Sequence, residues 1–301
     1  MKKNKIYIFG HSGYIGSSLC EKLKHLKIDF SYRKNLNKRR IKFQDIDIKK
    51  IVAKFDTIIF LTSITDLKFS EKNIDKSIKI SFLPIIKIID HANKINKKIK
   101  IVFTSSTTVF GKNTYNKKLN ENSNTDPITI YDFHKKIIED QLIYAQKSNI
   151  IDLVILRLSN VYGNSFSNSV NKNRNIMNKI IQNALKTKKI NLYSHGKFYR
   201  DFIYIDDVIS AIIKSIMLKY NRKLIYHICY GKSYTLKYVY DLAKKIIKIK
   251  HNIDVKISNI QFPKDIHNIN KRHFRIDNSD TKKILKWYPK ISLVEGLKKI
   301  I

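Results

Sequence analysis

The sequence predicts an α/β protein built on a doubly wound parallel sheet, with a smaller C-terminal domain. Three observations carry this. Short apolar runs alternate with helical segments through the first half of the chain, the rhythm of a parallel sheet with crossover helices. A glycine-spaced turn, Gly10-His11-Ser12-Gly13-Tyr14-Ile15-Gly16, lies between the first apolar run and the first helical segment. The chain has 301 residues, 43% hydrophobic and 28% charged, enough to bury a core in one large domain or two small ones.

Taken in order, residues 5–9 read as a strand, 14–26 as a helix and 28–33 as a second strand. Residues 57–61 form a short buried strand, and 71–97 a long helix carrying Pro84. Strands follow at 99–104 and 151–156, with a helix at 127–147 between them, where Pro127 suits a helix start because no amide is lost. Beyond Gly163 the rhythm loosens. A polar stretch is followed by a helix at 176–187 and a strand at 189–193. Further strands are predicted at 202–205 and 224–228, helices at 206–218 and 236–249, and irregular chain over 251–275. The expected division is a first domain over 1–163, to which 202–228 returns, and a second made mainly of 164–301.

The chain carries 60 Lys and Arg against 24 Asp and Glu, a formal charge of +36. Such a charge fits a polyanion partner. Arg occurs only nine times, however, and nucleic-acid surfaces lean on its planar fork. The lysines are scattered without a basic block, so no nucleic-acid partner is expected. The two cysteines, Cys20 and Cys229, exclude a disulfide scaffold, and nine scattered histidines show no metal spacing. No apolar run reaches the ~20 residues of a membrane span, and the one near the start is shorter than the roughly 7–15 of a signal peptide. A cytoplasmic protein without a membrane partner is expected.

Glycine is scarce, eight in the whole chain, and three fall in the 10–16 turn. Strand, glycine turn and helix in succession form the context of a Rossmann-type dinucleotide site. Gly10 would make the tight turn, Gly13 would let a pyrophosphate approach, and Gly16 would let helix and strand pack. Ser12, Tyr14 and Ile15 complete the loop. An acidic residue ends the second strand in many NAD sites; here Arg33 and Lys34 follow it, suited to the 2′-phosphate of NADP. NADP is therefore favoured over NAD. Asp45 and Ile46 are candidates for the adenine edge.

Tyr131 and Lys135 stand four residues apart on one helix face. A lysine cation would lower the phenol's ordinary pKa of ~10 and make Tyr131 an acid/base near neutrality. The run Thr104-Ser105-Ser106-Thr107-Thr108-Val109-Phe110-Gly111 follows a strand at its carboxyl end, where open α/β sheets bind ligands, and offers hydroxyls to a reacting carbonyl or alcohol.

With these pieces the chain resembles an extended short-chain dehydrogenase/reductase, of the NAD-dependent epimerase/dehydratase type that acts on nucleotide sugars. The matching segments are GHSGYIG, TSSTTVFG, Pro127…Tyr131…Lys135, RLSNVYGN (157–164), HGKFYRDFIYIDDV (195–208) and LKWYPKISLVEGL (285–297). The resemblance implies Tyr131 as acid/base, Lys135 as its partner and Ser106 as the hydroxyl that orients the sugar oxygen. It places Leu61, Thr62, Ser63 and Leu158 along the cofactor. Thr107, Asn160, Arg200 and Arg275 are implied on the substrate side, Arg200 gripping a diphosphate. Asp206 and Asp207 are expected to fix a turn. A homodimer through the helices at 71–97 and 127–147 is also implied.

Thr107 and Thr108 stand where sugar 4,6-dehydratases of the family carry Asp-Glu, which disfavours dehydration. Neither cysteine sits where a GDP-fucose-synthase-type enzyme needs one. Two activities remain, a 4-ketoreductase using NADPH, slightly favoured by Arg33 and Lys34, and a 4-epimerase with retained NAD. The readings of another kind are a reductase of a non-sugar ketone and a non-catalytic, Rossmann-derived nucleic-acid binder.

Overall fold

The computed structural model describes residues 4–32, 47–112, 117–164, 175–218, 223–262 and 271–301. Its strands are β1 (Ile6–Phe9), β2 (Phe30–Ser31), β3 (Thr57–Phe60), β4 (Ile99–Ser106), β5 (Ile151–Leu158), β6 (Asn160–Tyr162), β7 (Lys189–Tyr193), β8 (Tyr199–Tyr204), β9 (Ile225–Ile228), β10 (Ser233–Thr235) and β11 (Lys256–Ile260). Six of them form one parallel sheet in the order β2-β1-β3-β4-β5-β9. The chain leaves β1 for β2 on one side and returns to β3 on the other. That reversal opens a crevice at the carboxyl ends of β1 and β3.

Every residue of β1 and β3 is buried, because helices cover both faces of the sheet. Alternate residues point to opposite sides and build two cores. Ile6, Ile8, Ile59, Val102 and Val154 pack with α1 (Tyr14–His25) and α8 (Ile205–Met217). Tyr7, Phe9, Ile58, Phe60, Ile101 and Phe103 pack with α2 (Ile48–Lys54), α5 (Leu83–Lys94) and α6 (Ile130–Lys147). Across the sheet, Arg157 of β5 forks onto Glu139 of α6 at 3.0 and 2.7 Å, and both are buried.

The later residues divide. Ile225–Ile228 adds to the edge of the main sheet beside β5. Tyr199–Tyr204 is the centre of a separate three-stranded sheet, β10-β8-β6, so the expected strand at 202–205 is not in the first sheet. Parallel pairing of β7 with β11 makes a third sheet. The strand β11 lies inside the stretch expected to be irregular; its mixed sequence KISNI has no continuous apolar run.

The long helix expected at 71–97 is broken. It comprises α3 (Leu67–Lys72), α4 (Ile74–Ser77), a π-helical turn over Ile78–Phe82, then α5. Asn73, with φ −135° and ψ 56°, interrupts it, and Pro84 lacks the amide that would continue α-type bonding into α5. Ser77 meets His134 of α6 at 2.9 Å, which ties this bent segment to the helix carrying Tyr131. The helix α6 begins at Ile130 rather than Pro127, because the Thr129 side chain accepts from the Asp132 amide.

Near the C-terminus, α7 (Ile176–Thr187), α9 (Leu236–His251), α10 (Ser279–Leu285) and α11 (Leu293–Ile300) complete the fold. Ser292 and Glu295 form a capping box at the start of α11. Asp207 accepts from the amides of Lys290 and Ile291 at 2.9 and 3.0 Å, which holds this segment to α8. Among the described residues no helix is long and apolar enough to cross a membrane.

Candidate active site

Four strand ends converge on the crevice. At the end of β1, Gly10 has φ +87°, a conformation open to glycine. A Cβ at Gly16 would fall 2.0 Å from the Gly10 carbonyl oxygen, so loop and helix touch backbone to backbone. The N-terminus of α1 has no side-chain cap and no acidic residue in its first turn. Its first-turn amides are therefore open to an anion with no side-chain acceptor competing. This cradle fits the pyrophosphate of a dinucleotide.

A cleft of about 250 Å³ lies over that cradle. Gly10, Gly13, Tyr14, Ile15 and Gly16 line it, with Leu61 and Ser63 from beyond β3, Leu158 from β5, and Ser106, Tyr131 and Lys135. The sequence thus located most of the wall. Ser12 is exposed and Thr62 half-buried in the same loops; neither lines the cleft. Thr65, Thr104, Ser105, Ser159, Val161 and Asn175 also line it, and of these Thr104 and Ser105 were legible in the hydroxyl run. Arg33, Lys34, Asp45 and Ile46 lie outside the described residues.

The Ser106 hydroxyl lies beside the Tyr131 phenol in the cleft and stands 2.8 Å from the Thr108 hydroxyl. The Lys135 ammonium donates to the Thr104 carbonyl at 2.7 Å and stands 5.8 Å from the centre of the Tyr131 ring. The proton affinities run opposite to the sequence expectation. Burial pushes the Tyr131 phenol up, the Asp132 charge adds to the rise, and the neighbouring Ser106 hydroxyl opposes it. Burial brings Lys135 down to about 7, with Glu139 opposing. Lys135 does not lower the phenol here, because desolvation outweighs it and its amine is engaged by a carbonyl.

A second cleft, of about 1060 Å³, adjoins the first along β6: Ser159 and Val161 face the smaller one, Asn160 the larger. Arg200 and Thr108 also line the larger cleft. The Asn160 amide donates to the Asp201 carbonyl at 2.8 Å. The Asp201 carboxylate is fully buried and pushed up to about 6 by that burial. It accepts from the Ser159 hydroxyl and from the amides of Tyr230 and Gly231 at 2.8–2.9 Å, and so locks the floor between the clefts. Lys179, Asn183 and Lys186, spaced as one face of α7, line the wall with Tyr193 and Phe262, whose rings stack at 5.0 Å. Sequence reasoning missed these, although the spacing of the α7 residues was a readable signal. Thr107 is buried and Arg275 lies over the Tyr199 ring at 4.1 Å; neither lines a cleft. Both cysteines are buried.

The model of the family described as NAD dependent epimerase/dehydratase matches residues 6–229. The UDP-glucose 4-epimerase of Lactobacillus helveticus is 26% identical, over 81% of this chain and 82% of that one. Among solved structures, the UDP-glucose 4-epimerase of Thermotoga maritima with UDP-glucose superposes with a TM-score of 0.83 at 21% identity, covering 98% and 97% of the two chains. RMD from Pseudomonas aeruginosa complexed with NADPH superposes with a TM-score of 0.79 at 15% identity, covering 99% and 97%.

Proposed function

From the premise that the chain belongs to the NAD dependent epimerase/dehydratase family, we propose that it is a nucleotide-sugar oxidoreductase working at the sugar's C4, with Tyr131 as acid/base. One observation carries this reading. Ser106, Tyr131 and Lys135 line one cleft together with the glycine cradle, and the Ser106 hydroxyl is close enough to the Tyr131 phenol to favour its ionised form.

Gly10, Gly13, Tyr14, Ile15, Gly16, Leu61, Ser63 and Leu158 would hold a nicotinamide dinucleotide, which when bound would supply the hydride acceptor and donor. The protein's own part is proton handling and orientation. Ser106 fixes the direction of the phenol, and Tyr131 exchanges a proton with the C4 oxygen. Lys135 stands 5.8 Å from the centre of the Tyr131 ring, where its charged form would stabilise negative charge as it develops on the phenol oxygen. Arg200 and Asn160 hold the diphosphate in the larger cleft, with fork geometry from the guanidinium. Residues 1–163, with Ile225–Ile228 returning to their sheet, would carry the dinucleotide, and the rest of 164–301 mainly the substrate. A homodimer is supported by exposed apolar side chains on the helices expected to pair, including Ile78, Leu83, Phe133 and Tyr144.

The better supported activity is 4-epimerisation, the activity that the Lactobacillus helveticus relative's name states. Thr107 and Thr108 offer no carboxylate for dehydration. A second reading, 4-keto reduction, is favoured by the cations Arg33 and Lys34, which suit NADPH. Two assays divide them. Interconversion of UDP-glucose and UDP-galactose without added cofactor supports the epimerase; net NADPH consumption with a 4-keto sugar nucleotide supports the reductase. Failure of both across UDP, dTDP, CDP and GDP sugars overturns the proposal.

A further inference from the structure

Asp132 follows Tyr131 directly and is wholly buried, as is the Arg272 side chain that faces it. The guanidinium stands 3.8 Å from the Asp132 carboxylate and donates to the Thr108 carbonyl at 3.3 Å. The two contacts reach different elements: Asp132 lies in the first turn of α6, and Thr108 in the 3₁₀ turn Thr107–Phe110 that follows β4. The same turn places the Thr108 hydroxyl 2.8 Å from Ser106, and Ser106 lines the small cleft beside Tyr131. Burial raises the Asp132 carboxyl above its ordinary range, with Thr108, the Arg272 cation and Thr129 opposing the rise, and neither of its carboxylate oxygens has a hydrogen-bond partner among the described residues. On its other side, the Arg272 backbone carbonyl accepts from Arg200, the arginine of the larger cleft.

Stability alone gives no reason for this pair. Taking two charges out of water costs several kcal/mol per ion, and apolar residues of similar volume often hold a fold as well. A lone carboxylate at 132 would also oppose any negative charge on the neighbouring phenol. We infer that Asp132 and Arg272 are positioning residues: a single guanidinium clamps the turn after β4 to the first turn of α6, and so keeps the Ser106 hydroxyl against the Tyr131 phenol. Its consequence for turnover rests on the proposed role of Tyr131; the clamp itself is a geometric claim.

The test uses the full chain with D132N, R272K, R272Q and the double variant D132N/R272Q. UDP-glucose is the kinetic probe, and crystal structures of the variants give the second readout. The expected kinetic result is a fall in kcat of at least about ten-fold with KM within about two-fold, the double variant being no worse than the poorer single one. R272K retains charge but loses the fork, and should recover only part of the loss. In the crystals, D132N and R272Q should show the 107–110 turn displaced and the Ser106–Tyr131 contact broken. A raised KM with unchanged kcat would make Arg272 a substrate contact and overturn the clamp. An intact Ser106–Tyr131 contact in both variant crystals would overturn it too. If the unaltered protein turns over no sugar nucleotide, the functional proposal fails, and the crystals still decide the clamp.

Discussion

Tyr131 holds its proton tightly because its phenol is desolvated and sits beside a carboxylate. Lys135 meets the same desolvation with opposite sign. A lysine in water stays protonated to pH ~10.4, whereas this one releases its proton near about 7. Between those values the unfolded chain binds a proton that the folded chain does not, so the protein gains stability as pH rises through that window. Below pH 7 the penalty of the buried cation is fully present. Lys135→Met should therefore raise Tm most at pH 6, and the gain should shrink towards pH 10; calorimetry over that range checks it. The same variant should lose turnover. An unchanged Tm at every pH would show that the amine is better solvated than its buried position indicates. The i, i+4 spacing made the pairing of Tyr131 with Lys135 legible. The sign of the shifts was not, because desolvation depends on Phe103 and Thr104, which reach Lys135 from a distant strand. Arg272 was illegible for the same reason: its partner Asp132 is 140 positions away in sequence.

At the scale of elements, the buried strands β1, β3, β4 and β5 were legible as continuous apolar runs, since a sheet covered on both faces needs no alternation. The short strands β6, β10 and β11 were not, being polar or only three residues long. The helix expected at 71–97 failed at Asn73 and Pro84, where backbone conformation overrides apolar periodicity. The glycine turn was the clearest element signal, and the close approach at Gly16 explains why. Gly16→Ala would push a methyl group to 2.0 Å from the Gly10 carbonyl, so the loop must move. The expected result is destabilisation of about 1–3 kcal/mol, the usual scale for overpacking, and at least a ten-fold weaker Kd for NAD or NADPH by fluorescence titration. Unchanged affinity would separate the loop from the cofactor. At the far end, Ser292→Ala removes the cap of α11 and should cost about 1 kcal/mol in denaturant unfolding, without altering cofactor affinity.

For the whole molecule, a charge of +36 implies self-repulsion in the compact state. Among the described residues, many ion pairs are exposed lysine–carboxylate contacts, each worth little. Raising ionic strength from roughly 10 mM to roughly 150 mM shortens the Debye length to about 8 Å, and Tm should rise. A fall would mean that favourable pairs outweigh the repulsion. The same positive field would draw a nucleotide diphosphate towards the lysine-lined larger cleft. The account nevertheless turns on one phenol. Its most direct test is the turnover of sugar nucleotides by the unaltered protein and by Tyr131→Phe, followed by NMR of the C4 proton with NAD and NADPH each supplied. The account predicts C4 chemistry in the first and a loss of about 10²–10⁴-fold in the second, with cofactor affinity preserved. A Tyr131→Phe variant that turns over sugar nucleotide at the unaltered rate would contradict it.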